Sequence, residues 1–464
     1  MAERLVFLTG HLARARLEKL LAGLGETEFA WEVVDIGVKV AALMTEEIIQ
    51  RRLKLPDGAD RVILPGRFRG DVERLSQYFG IPFARGPDEV ADLPPFLGRA
   101  GQPPDLSRHD MRIFAEIVDA PALSIDTLVA RARTLAGAGA DVIDLGCLPE
   151  TPFPLLGEAV RTLKAEGFAI SVDSANTDEL RIGAEAGADY LLSLDENTLP
   201  IAFEHTVTPV LIPSASGDLD SLGRAIEAAQ KAGISFIADP VLDPIHFGFA
   251  QSLGRFIEAR RRWPEVELLM GTGNLTELTD ADSSGVTTLL VGLCSELDIR
   301  NVLAVHVSPH TMRTIEEHDL ARRILFAAKS DGALPRSYHQ GLLQIHDRKP
   351  YAASVEDIAA LAAAVRDANF RIVTAEDGIH VFNSKGHAVA QDAFALFAGL
   401  GVETDGAHAF YLGAELMKAE IAWRLGKRYA QDEPLAWGVA VPEPKTDRTR
   451  LAEAGHTLRT KKEG

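Results

Sequence analysis

From Arg112 onward the chain repeats one pattern, a short unbroken apolar run followed by a stretch of helical periodicity. Eight such runs fall at 112–119 (RIFAEIVD), 141–146 (DVIDLG), 169–174 (AISVDS), 190–194 (YLLSL), 209–214 (PVLIPS), 235–240 (SFIADP), 267–273 (ELLMGTG) and 301–307 (NVLAVHV). Unbroken runs of this length fit strands buried on both faces, as in a parallel sheet. Between them, Leu128, Ala132, Leu135 and Ala136 mark one helical stripe and Ala225, Ile226, Ala229 and Ala232 another, with Ser124 and Asp218 as predicted caps. Eight consecutive βα units without a switch point predict a (β/α)8 TIM barrel over residues 108–330 rather than an open doubly wound sheet.

The flanks follow other patterns, within an overall α/β class. Residues 1–100 predict an N-terminal α/β Rossmann-like domain: strand Leu5–Leu8, a helix from about Leu12, strand Glu32–Ile36, helix Thr45–Leu53, strand Val62–Leu64 and helix Val72–Phe79. The proline-rich stretch 92–107 reads as a linker. A second boundary falls near 330–354, and residues 350–440 predict a small C-terminal α+β domain with a hairpin over 370–383 and a helix over about 408–429. Residues 441–464 mix proline and charge and predict a disordered tail.

Composition narrows the function classes. With 464 residues, 46% hydrophobic and 25% charged, the chain can bury a sizeable core, and it has no apolar run of the roughly 18 residues needed to span a bilayer. Met1 to Gly10 enters a strand pattern without a basic start or cleavage site, so the expected compartment is the cytoplasm. Cys147 and Cys294 stand in no metal-binding spacing. A net charge of −19 argues against nucleic acid as a partner, though a site can still be locally basic.

Asp119, Asp144, Asp173 and Asp239 fall at or near the ends of strand runs one, two, three and six. A carboxylate at the C-terminal end of a barrel strand points into the mouth, where such folds keep their chemistry. Four anions in one cleft repel one another and call for a metal, basic groups or a ligand that donates hydrogen bonds. Singly, each also reads as a helix cap or salt-bridged structural residue.

GADVIDLG (residues 139–146), ISVDS with AGAD sixteen residues later, and the Asp-Pro of ADP (238–240) resemble, in order and spacing, the dihydropteroate synthase family of pterin-binding barrels, over roughly Arg112 to Ala328. The resemblance implies that Asp173 and Asp239 bind the pterin, a carboxylate accepting two parallel N–H bonds from its aminopyrimidinone edge; Asp144, at the end of the neighbouring run, is a further candidate for binding the substrate. It further implies a transferase that joins a dihydropterin methyl diphosphate to an arylamine and releases diphosphate, with Mg2+ bound. Asp119 and His306 would be the catalytic residues near magnesium and diphosphate, Asp119 as metal ligand. Where that family has Ser-Arg-Lys after the seventh strand, this chain has Thr272-Gly273-Asn274; where it has Arg-x-His at the eighth, this chain has Ala304-Val305-His306. The family's strand-one Asn is matched here to Asp119, and LPETP (148–152) replaces its Ser-Thr-Arg-Pro loop.

The three-part layout, with DGAHAFYLGAELMKAE (405–420), resembles the dihydropteroate synthase-like proteins of tetrahydromethanopterin biosynthesis, which implies ribofuranosyl-aminobenzene 5′-phosphate as the arylamine. Asn274 resembles the Asn of pterin-dependent methyltransferases, which pass a methyl group to a corrinoid protein, and the resemblance implies that it binds the substrate at the pterin edge; it also reads as a left-handed turn residue. A pterin-binding protein without turnover is the third reading. Ser283 and Ser284, at a predicted helix start after strand seven, are candidate phosphate ligands or a plain cap. Arg67 and Arg69 on PGRFRGD are further phosphate candidates, or solvated loop residues. His306 and His310 read as pocket residues more readily than as a metal pair, and Thr9-Gly10 is no dinucleotide fingerprint. His408, Tyr411, Glu415 and Lys418 share one helical face that reads as a cover over the barrel mouth or, more readily, as a domain interface or a solvated stripe. A homodimer is expected by analogy with barrels of this type.

Overall fold

The computed structural model describes residues 2–99, 103–148 and 151–442, so the predicted tail beyond 442 and part of the 148–152 loop lie outside the described residues. The chain divides into two compact units, Met1–His339 and Gln340–Gly464.

The first unit opens with a four-stranded parallel sheet, β1 (Glu3–Thr9), β2 (Phe29–Asp35), β3 (Arg61–Leu64) and β4 (Phe83–Arg85), in the order β2-β1-β3-β4. Alternation along β1 explains the layering. Leu5 and Phe7 pack with Leu17 and Leu21 on one side, while Val6 and Leu8 pack with Ile49 and Leu75 on the other, so both faces are covered as a parallel sheet requires. β4 was not evident in the hydrophobic pattern, being three residues long beside Pro82 and Pro87. The predicted linker begins as a helical turn, Leu93–Phe96, whose Leu93 is buried against the same sheet.

Eight further parallel strands follow: β5 (Arg112–Ile117), β6 (Val142–Gly146), β7 (Ala169–Asp173), β8 (Tyr190–Leu194), β9 (Thr208–Leu211), β10 (Ile237–Ala238), β11 (Leu269–Gly271) and β12 (Asn301–Val305). Each lies within, or within one residue of, one of the eight apolar runs. They are ordered β10-β9-β8-β7-β6-β5-β12-β11, and a parallel bridge from Ala238 to Leu268, with the Ala238 N–H donating to the Glu267 carbonyl at 2.9 Å, joins the two ends into a barrel. Phe114, Val142, Leu192, Val210, Ile237 and Leu269 fill its interior. Side chains two apart share a face of a strand. Phe114 therefore puts Glu116 inside, Val142 puts Asp144 inside, Ala169 puts Ser171 and Asp173 inside, and Ile237 puts Asp239 inside.

The opposite, N-terminal end of the barrel is closed by paired charges. Asp141 accepts from the Ile113 N–H at 2.8 Å and Asp189 from the Ile170 N–H at 2.7 Å, so the two Gly-Ala-Asp segments tie each strand to the start of its neighbour. Lys164 pairs with Asp189 at 2.7 Å. The buried Arg322 pairs with Asp141 and, at 2.7 Å, with Asp319, and donates to the Met111 and Gly139 carbonyls. Ser124 and Asp218 cap their helices as predicted.

The second unit holds an antiparallel sheet, β13 (Arg371–Ala375), β14 (Gly378–Asn383) and β15 (Gly386–Ala390). Its long helix, Gly406–Arg424, starts earlier than predicted because Asp405 caps it through the His408 N–H. Tyr411 donates to Asp432, and Glu415 accepts from Lys418 and Tyr429, so these polar atoms are used within this unit.

Candidate functional site

Four carboxyls meet at the C-terminal end of the barrel. Asp144 forms the floor and is fully buried; its Oδ1 accepts from the Ser171 hydroxyl at 2.5 Å, and its Oδ2 has no hydrogen-bond partner among the described residues. Glu116, Asp173 and Asp239 form the wall, partly reached by solvent. The register aligns Glu116 with Asp144, and Gly146 with Asp173. A Cβ at Gly146 would press on Oε1 of Glu116, so glycine there lets the Glu116 side chain lie against β6.

Backbone strain surrounds two of these acids. Ser193 has φ +63° at a shift of register in β8, and its hydroxyl donates to Asp173 Oδ1 at 2.6 Å. Val241 has φ +67°, a costly conformation for a β-branched residue, and its N–H donates to Asp239 Oδ1 at 2.8 Å. Arg255 donates to the Pro240 and Val241 carbonyls and to Asp243, holding that turn. Strain of this kind persists only where the surroundings enforce it, and it gathers at working sites.

The electrostatics agree. Burial pushes the Glu116 carboxyl up to about 7, with Asp173 adding to the effect, and burial pushes Asp239 up to about 7. Asp173 is raised by burial, and Asp144 is raised well above the usual carboxylate range by burial and by Asp173 and Glu116. Burial and mutual repulsion make the charged form of these acids costly, and a ligand that donates hydrogen bonds would relieve that cost. Cys147 adjoins it, but burial and Glu179 raise its thiol, which makes it a poor nucleophile.

The strand-one acid of the cluster is Glu116, not Asp119. Asp119 lies past the end of β5, half-exposed, and pairs with Arg131 at 2.5 Å. Glu116 lies in the middle of the run 112–119 with the parity of Phe114, whereas Asp119 ends that run. Among the described residues no group of three His, Cys, Asp or Glu side chains comes together to hold a metal ion, and Asp119 is engaged by Arg131, so the residues present do not fit the magnesium site expected at Asp119.

His306 lies just past β12, and burial lowers its pKa, with Arg131 acting in the same direction. His310 bonds the Thr276 carbonyl at 3.0 Å. The loop after β11 is turned inward: Thr272 shares its hydroxyl with the Leu303 carbonyl at 3.1 Å and with His318 at 3.0 Å. Asn274 is exposed in the helical turn Gly273–Thr276, not in a left-handed turn, and its amide donates to the Leu242 carbonyl at 2.6 Å, tying the loops after β10 and β11 together. Ser283 and Ser284 are buried in the first turn of the helix Ser283–Glu296 rather than capping it, since Asp282 takes the cap position; Ser283 donates to the His310 carbonyl at 3.1 Å. Arg67 pairs with Glu89 at 2.9 Å in the N-terminal sheet region, and Arg69 is exposed on the same loop.

Residues 3–88 match a family of unknown function (DUF6513). An uncharacterized protein of Methanocaldococcus jannaschii is 25% identical over 525 residues, covering 92% of this chain and 98% of its own. Among solved structures, a Yersinia pestis dihydropteroate synthase with a pterine-sulfa conjugate is 20% identical and covers 49% of this chain and 95% of its own, with a TM-score of 0.38. The 7,8-dihydropteroate synthase of Vibrio fischeri ES114 is 18% identical with the same coverages and TM-score, and that of Xanthomonas albilineans is 22% identical, covering 45% and 91%, at 0.35. Likeness at this level assigns no role to any residue. No helix among the described residues is long and apolar enough to cross a membrane.

Proposed function

We propose that the barrel mouth binds a pterin and that the protein is a transferase of the dihydropteroate synthase type, acting in tetrahydromethanopterin assembly with ribofuranosyl-aminobenzene 5′-phosphate as the amine. The observation that carries the reading is the cluster of Glu116, Asp144, Asp173 and Asp239, each with its carboxyl raised and one with an unpartnered buried oxygen. An aminopyrimidinone ring offers several N–H donors in one plane, and a carboxylate takes two of them in parallel. Asp173 and Asp239 are the acids reached by solvent whose second oxygens are left for a ligand once Ser193 and Val241 have taken the first.

In the transfer the amine nitrogen forms a bond to the methylene carbon of the pterin as the carbon–oxygen bond to diphosphate breaks, and the new ammonium then loses its proton. The amine is already a nucleophile, so the chain's part is to orient the two reactants and to stabilise the departing anion. With Ala304 where the related arginine would stand and burial lowering the His306 pKa, Arg131 is the cation this reading assigns to the leaving group, at the expense of its pair with Asp119.

The test is a mixing experiment with dihydropterin methyl diphosphate, magnesium and either aminobenzoate or the ribosylated amine phosphate. Diphosphate release with the ribosylated amine is the expected result. Pterin binding without turnover on either amine would reduce the protein to a binder, and methyl transfer to a reduced corrinoid protein would favour the methyltransferase.

A further inference from the structure

A cavity of about 300 Å³ opens at the carboxyl ends of β1, β3 and β4, well apart in sequence from the barrel-mouth acids. It adjoins the seam between β1 and β3, where the strand order reverses, the place at which open parallel sheets take their ligands. Its walls are apolar, with Leu8, Leu12, Leu64, Val90 and Leu334 among them.

Its polar groups are unbalanced. Three guanidinium groups, of Arg16, Arg67 and Arg336, line the cavity against two carboxylates, of Asp88 and Glu89. Glu89 is nearly buried and satisfied, accepting from Arg67 at 2.9 Å, Arg336 at 2.7 Å and the Ser337 hydroxyl at 2.8 Å. An arginine carries five N–H donors. Arg67 and Arg336 give Glu89 one bond each and, half-exposed, keep others for a second anion. The helix His11–Ala22 offers no such place: its first N–H groups are taken by the Val38 and Lys39 carbonyls at 2.8 and 3.2 Å. That closes the position where a dinucleotide's pyrophosphate would rest.

We propose that this cavity binds a small amphipathic organic anion, its apolar body among Leu8, Leu12, Leu64 and Leu334 and its carboxylate or phosphate on Arg67 and Arg336. Most of the lining falls within residues 3–88, for which the matching family supplies no activity. The assignment is independent of what the barrel mouth binds.

Calorimetric titration of the full-length protein with phenyl phosphate, benzoate and benzyl alcohol tests it. One anion should bind at one per chain and about tenfold or more tighter than the alcohol, a difference of about 1.4 kcal/mol; which anion wins decides between phosphate esters and carboxylic acids. Arg67→Met should remove that preference. Because it also strips a partner from Glu89, Ala13→Phe is the second variant: it fills the cavity, leaves the Glu89 contacts in place, and should abolish binding while pterin affinity is unchanged. No anion bound up to about 10 mM, or binding that survives Ala13→Phe, overturns the proposal.

Discussion

The two ends of the barrel treat their acids in opposite ways. At the N-terminal end, Asp141, Asp189 and Asp319 are each met by a cation, and Asp141 and Asp189 also by a backbone N–H. At the C-terminal end, Glu116, Asp144, Asp173 and Asp239 sit together with no ion pair among the described residues, and their carboxyls are raised. One βα unit supplies both kinds: Asp141, just before β6, holds the fold, while Asp144, three residues on, lies on the floor of the site. Carboxylates paired with a cation support the fold, and carboxylates clustered without one mark the place where a ligand can complete them.

The largest effect should come from breaking the paired end. Arg322→Met leaves Asp141 and Asp319 without their buried partner, and we expect a loss of about 3–5 kcal/mol in urea unfolding. A small loss would mean that the two ends do not differ as described. Asp173→Asn and Asp239→Asn should do the reverse: unfolding stability unchanged or slightly raised, and pterin affinity weakened by about 1.5–3 kcal/mol in a calorimetric titration. Unaltered affinity in both would make these acids structural and remove the support for a pterin.

The raised carboxyls also fix a sign for the pH dependence. Glu116 and Asp239 hold their protons up to about pH 7 in the folded protein, whereas in the unfolded chain they lose them near their ordinary values of 4.5 and 3.8. The folded state therefore binds more protons between those limits, so the contribution is full below pH 4 and is lost as pH rises through 7. Melting temperature should fall by a few degrees from pH 5 to 8. Glu116→Gln should flatten that slope, and a slope of the opposite sign would contradict the burial of these groups.

The hydrophobic pattern showed the barrel because each of its strands is buried on both faces and bounded by turn residues, and that signal is local. Strand-end position also marked Asp144, Asp173 and Asp239. What the pattern did not show depends on contacts between strands. Glu116 is recognised only once Phe114 is known to face inward, and the strain at Ser193 and Val241 comes from a register shift and a turn that no residue type announces. Asn274 and Ser283 have suitable chemistry, but neighbouring carbonyls take their donors. β4 is only three residues long, and β15 is mostly exposed, so neither makes an apolar run.

The smallest expected effect separates the rim of the mouth from its wall. Asp119 stands at the end of the same strand as Glu116, yet its side chain is half-exposed and its partner Arg131 is equally so. An exposed pair of this kind contributes less than about 1 kcal/mol to stability. Asp119→Asn should leave both unfolding and pterin affinity nearly unchanged, where Glu116→Gln changes the pH slope. It should also free Arg131. If Arg131 receives the departing diphosphate, Asp119→Asn will bind inorganic diphosphate more tightly by a few-fold, and Arg131→Met will weaken it. Equal diphosphate affinity in all three proteins would detach Arg131 from the reaction and leave the leaving-group side of the mouth to be assigned elsewhere.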